Sequence, residues 1–106
     1  MGKPLDPAHD HRISLEAAAA MTKAHRDGGT LRTGDSAAYN AKALLDLLQQ
    51  PGCVGMRYYK GRTKAGESSM VLVGVDKDGN DMVGGILIDN GMPCPPWCSD
   101  GNVLTG

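Results

Sequence analysis

From Cys53 onward the sequence reads as short extended runs whose alternate side chains fall on opposite faces, and that period of two decides what the second half of the chain can become. In "CVGMRYYKG", Val54, Met56 and Tyr58 fall on one side of an extended chain, and Gly55, Arg57 and Tyr59 on the other. In "SSMVLVGVD", Val71, Val73 and Val75 point one way, Met70 and Leu72 the other. "GGILIDN" is a third short apolar run. A Gly-containing loop at 61–67 and the Asp-Gly turn of "DKDGN" separate these runs, so the reading is an antiparallel meander of about three strands.

The first half carries a helical period instead. In "ISLEAAAAMTKAHRDGG", Ser14 is a good N-cap and Glu16 sits in the first turn, where a carboxylate favours the helix dipole. Gly28 and Gly29 are expected to stop this helix. Ala17, Ala20, Met21 and Ala24 share one thin face, expected to lie close against a neighbour. In "DSAAYNAKALLDLLQQPG", Asp35 or Ser36 is the expected cap and Pro51-Gly52 the stop. Ala37, Ala41, Leu44, Leu45 and Leu48 form its apolar stripe. The fold expected is therefore α+β, two N-terminal helices packed on one face of a small antiparallel meander. Residues 1–12 read as a mobile arm, 13–93 as a single domain and 94–106 as a Cys/Pro tail. With no Phe in 106 residues, the one core must be built from Leu, Val, Ile, Met and Ala.

Several functions are excluded by residue chemistry. "GRTKAGES" has the glycine spacing of a phosphate-binding loop, but Glu67 stands where a lysine must reach the phosphates, and strand rather than helix follows. "DKDGNDMVGGIL" places Asp76, Asp78 and Asn80 as in a calcium loop, but Asp81 replaces the required glycine and Leu87 the bidentate glutamate. Neither nucleotide nor calcium is an expected partner. Arg57, Lys60, Arg62 and Lys64 surround Tyr58 and Tyr59, a pattern that can stack single-stranded nucleic acid. The net charge of −1 argues against that, and a solvated hairpin end is preferred. No apolar run approaches the ~20 residues of a membrane span, and "MGKPLDPAHDHR" lacks a secretory apolar stretch. A cytoplasmic protein is expected. No catalytic motif is present, so a non-enzymatic role is preferred, with a motif-free enzyme as the third reading.

"CPPWC" is the least ordinary segment. Cys94 and Cys98 have spacing compatible with half of a zinc site, and Cys53 could contribute a third thiolate, with His9, His11 or His25 completing the set. Extended polyproline geometry would hold the Cα atoms roughly 12 Å apart. A disulfide needs about 7 Å or less, so direct pairing requires a turn. Free thiols in a reducing cytoplasm are the expected state. A thiol-based metal or redox site using Cys53, Cys94 and Cys98 is the alternative function, with zinc its cofactor. His25 reads more simply as a helix C-terminal cation or hydrogen-bonding residue.

Together, "ISLEAAAAMTKAHR", "GCVGMRYYKG", "MVLVGVDKDGNDM" and "CPPWC" resemble a family of small uncharacterised bacterial proteins with G-C-x-G-x-R-x-Y, V-L-V-G-V-D-x-x-G and C-P-P-x-C motifs. The resemblance runs from about residue 13 onward and implies no catalytic residues. The preferred function rests on "MVLVGV", which is apolar on both faces. If the helices cover one face, Met70, Leu72 and Leu87 on the other need a cover, either the "CPPWC" tail folded back or a second chain, and a homodimer through the sheet face or its edge is expected. Arg62 and Lys64 of one chain would meet Asp78 and Asp81 of the other. Trp97 is expected to dock on the domain.

Overall fold

The computed structural model describes residues 2–106 except Gly28, Thr30, Leu31 and Thr33. In chain order the elements are α1 (Leu15–Arg26), β1 (Ala37–Ala38), α2 (Ala41–Leu48), β2 (Gly55–Arg62), β3 (Ser68–Val75), β4 (Leu87–Ile88) and β5 (Met92–Pro93). They form an antiparallel sheet in the order β2-β3-β4 and a separate antiparallel pair, β1-β5. The chain divides into two compact units, Met1–Pro7 with Tyr39–Gly91, here the sheet unit, and Ala8–Ala38 with Met92–Gly106, here the tail unit. The segment up to Pro7 groups with the sheet, and the first helix groups with the tail.

Within the sheet unit, α2 starts later than expected. Asn40, not Asp35 or Ser36, is the cap, and its side-chain oxygen accepts the Ala43 N–H at 2.9 Å. Residues Ala37 and Ala38, read as the start of this helix, are strand β1 instead, because they pair with Met92 and Pro93. The buried face also differs from the expected stripe. Leu47, fully enclosed at 0% exposure, meets Leu72 and Ile88, with Tyr39, Ala43, Leu44 and Cys53 around them. Leu45 and Leu48 of the expected stripe are exposed.

The meander itself is as read. Gly55 pairs with Val75 and Arg62 with Ser68, so all eight residues of each strand are matched. The third strand is cut short. After the turn, Asp81 bridges to Val75 and Met82 donates to Gly74, but regular pairing returns only at Leu87 and Ile88. Gln50 accounts for the detour: its Nε2 donates to Leu47 O at 2.8 Å and its Oε1 accepts the Ile86 N–H at 2.7 Å. That side chain ties the end of α2 to the loop entering β4.

Leu72 needs a correction. It is 3% exposed beneath Leu47 of α2, so it lies in the core and not on an uncovered face. The face away from α2 is the valine face, where Val73 and Val75 are buried. The N-terminal segment lies on this side: Leu5 sits where a Cβ on Gly55 would point, and Gly55 is the register partner of Val75. The backbone of Lys3 likewise occupies the space a Cβ on Gly79 would need.

In the tail unit, Ser14 caps α1 by accepting the Ala17 N–H at 3.0 Å, as the sequence implied. Asp27, at φ 52°, turns the chain out of the helix, and Gly28 lies outside the described residues. No residue of α1 is buried. Its expected contact face, Ala17, Ala20, Met21 and Ala24, is exposed, and the half-buried side is Ala18, Ala19, Thr22 and Arg26. Arg26 explains the rotation, since its Nη1 reaches Leu104 O at 2.6 Å and so brings the chain end onto that side. Within the sheet unit, the helix that packs on the sheet is α2, against β3 and β4.

Candidate functional site

The two motif look-alikes are occupied by their own turns. In the 63–67 loop, Thr63 N donates to Glu67 O, Gly66 N to Thr63 O, and Thr63 Oγ1 accepts the Glu67 N–H. Gly66, at φ 84°, closes the hairpin, and the chain goes straight into β3. In the 76–80 turn, Asp76 Oδ1 accepts the N–H groups of Asp78 at 2.9 Å and Asn80 at 3.0 Å. Asp76 thus orders the backbone of this turn.

Arg57, Tyr59 and Asp81 form the densest polar cluster. Asp81 Oδ1 accepts from Arg57 Nη1 and Oδ2 from the Tyr59 hydroxyl, each at 2.5 Å. The Arg57 guanidinium also donates to Gly79 O at 3.3 Å. Alternation puts Arg57 and Tyr59 on one side of β2, and the bridge to Val75 sets Asp81 within their reach. Asp81, expected as a contact to a second chain, is spent within its own chain. The same bonds engage Arg57 and Tyr59 within their own chain, and Tyr58 lies on the opposite face of β2. The Tyr59 hydroxyl bond, then the Arg57 guanidinium, hold the Asp81 carboxyl below its ordinary value, and the same bond pushes the Tyr59 phenol up.

A carboxyl depressed in the folded state contributes stability above its unfolded value and loses it as pH falls through the folded value. Melting temperature is therefore expected to drop on acidification below the ordinary 3.8, and Asp81→Asn to flatten that drop while lowering stability near neutrality. Thermal melts across the acid range check this. A pH profile unchanged by Asp81→Asn would refute the assignment.

The cysteines are distributed against expectation. Cys94 and Cys98 are joined in a disulfide with Cα atoms 4.7 Å apart, which corrects the reading of free thiols. The segment doubles back through cis bonds at Cys94-Pro95 and Pro95-Pro96, with Trp97 N donating to Pro93 O and Cys98 N to Pro96 O. Cys53 is a free thiol in the sheet unit, half-buried, its Sγ donating to Gly55 O at 3.2 Å. The three proposed metal ligands are thus one core-facing thiol and one disulfide. Among the described residues no group of three or more His, Cys, Asp or Glu is placed to hold a metal. His9 and His11 stack edge to face. His25 Nε2 meets Asp35 Oδ1 at 2.9 Å, the hydrogen-bonding role expected of it. Asp35 lies below its ordinary value, first through the Arg32 N–H and then through His25. Trp97, expected to be docked, is 57% exposed.

One apolar strip on the sheet unit stays open. On the face covered by α2, Met56, Tyr58 and Met70 sit beside Leu72 and remain exposed, Tyr58 at 53% and Met70 at 37%. The Tyr39 hydroxyl donates to Met70 O at 3.0 Å and so holds one side of this strip to the start of α2. Among the described residues no helix is long and apolar enough to cross a membrane. Comparison with protein-family models, curated proteins and solved structures finds no match for this chain.

Proposed function

We propose that this protein is a small non-enzymatic interaction module that pairs with a second copy of itself. The observation that carries this reading is the open strip of Met56, Tyr58 and Met70 beside the α2-covered core. Helix α2 is eight residues long and packs on β3 and β4, which leaves the β2 side of that face to be covered from elsewhere. Burying a side chain of this size stabilises by about 1.5–3 kcal/mol, so three in one strip favour a cover. Charge supports a second copy as that cover. Arg62 and Lys64 lie at the 61–67 end of the hairpin and Asp78 at the 76–80 end. A two-fold arrangement brings unlike ends together and fixes orientation more than affinity. The partner surface is thus Met56, Tyr58, Met70, Arg62, Lys64 and Asp78, with Leu72 and Asp81 supporting it from within their own chain.

The expected result is a dimer mass by light scattering behind a sizing column at micromolar concentration. Tyr58→Lys is expected to weaken it roughly tenfold or more, as loss of a central aromatic anchor does. A monomer mass for the unaltered chain across that range would overturn the reading.

A further inference from the structure

We propose that the Cys94–Cys98 disulfide is a thiol–disulfide exchange site that accepts electrons from a low-molecular-weight monothiol. This goes beyond self-association and stands on different residues. Three observations carry it. First, the bond joins residues only four apart, so it ties a segment to itself and not one element to another. Closing so small a ring constrains the unfolded chain far less than a long-range staple would. Second, it is reachable. Cys98, Pro95, Pro96 and Trp97 are exposed, while Cys94 is half-buried with its N–H held by Ser36 O at 3.1 Å. Exposed disulfides are the labile ones, because exchange requires an attacking thiolate to reach a sulfur. Third, the backbone bonds Trp97 N to Pro93 O and Cys98 N to Pro96 O do not depend on the sulfurs. They keep the two cysteines near each other after opening, so the bond can re-form.

The asymmetry assigns the order of events. A monothiol thiolate attacks Cys98 Sγ, the sulfur–sulfur bond breaks, and its electron pair leaves on Cys94 Sγ, which takes a proton from water. A second monothiol thiolate attacks the thiol-derived sulfur of the mixed disulfide, and the bond pair leaves on Cys98 Sγ, which takes a proton from water in turn. Two monothiols are oxidised to their disulfide, and the protein gains two electrons and two protons. Trp97, inside the ring and the only tryptophan, reports the change, since a disulfide beside an indole quenches its emission.

The test uses reduced glutathione at millimolar concentration on the native, oxidised chain. The expected result is loss of the disulfide without denaturant, a parallel rise in Trp97 emission, and recovery of both signals with oxidised glutathione. Peptide mass mapping separates this from glutathione on Cys53. With oxidised glutathione, Cys94→Ser is expected to load one glutathione on Cys98 at least about tenfold faster than Cys98→Ser loads Cys94, following exposure. A disulfide that survives glutathione and opens only after unfolding would overturn the proposal and leave an inert clasp. Equal loading of the two variants would overturn the assignment of Cys98 as the attacked sulfur.

Discussion

Leu47→Ala is expected to cost about 2–5 kcal/mol, a large share of the 5–15 kcal/mol that holds a small protein folded. Leu47 has no exposed surface and sits between Leu72 and Ile88, so truncation opens a cavity where α2, β3 and β4 converge. The neighbours have little freedom to collapse into it. Leu72 is held between Tyr58 and Ile88 by strand register, and Gln50 pins the end of α2 to the loop before β4. All the buried hydrophobic side chains among the described residues, Leu47, Leu72, Val73, Val75 and Ile88, belong to the sheet unit. A core of this size has no second layer to absorb the loss. Chemical denaturation of the variant against Leu45→Ala provides the comparison. Leu45 lies on the same helix but is exposed, and its truncation is expected to cost well under half as much. A larger loss at Leu45 than at Leu47 would mean that the buried face of α2 is the one the sequence suggested.

The second large effect is expected at Gly79. Its φ of 82° lies in the left-handed region, where any side chain is strained, and a Cβ there would collide with the backbone of Lys3. Gly79→Ala therefore combines backbone strain, about 1–3 kcal/mol, with displacement of the N-terminal segment from the valine face. A chain lacking residues 1–7 keeps the strain and removes the collision, so Gly79→Ala is expected to cost less in that background. Differential denaturation of the four proteins measures the coupling. An unchanged cost in the shortened chain would show that Lys3 does not lie over the turn. The corresponding change at Gly66, also at positive φ but in open space, is the control for strain alone.

What was legible in the sequence was whatever local periodicity and short-range bonding decide. The β2–β3 hairpin follows from alternation in two adjacent runs, with Gly66 and the Asp76 turn at their ends. The start of α1 follows from Ser14, whose hydroxyl needs only a backbone N–H three residues on. What tertiary structure alone decided depends on partners far along the chain. Asp35 and Ser36 look like caps, but Asp35 bonds to His25, and Ser36 O accepts the Cys94 N–H. Asp81 looks like a free surface charge until Arg57 and Tyr59, more than twenty residues earlier, are folded beside it. Leu72 looks like the open side of a strand because the sequence shows that two faces exist and not which one a helix will take. That choice was made by the register of α2, set by Asn40 below Leu47 and by Gln50 beyond it, and a shift of one residue there turns a different set of leucines inward.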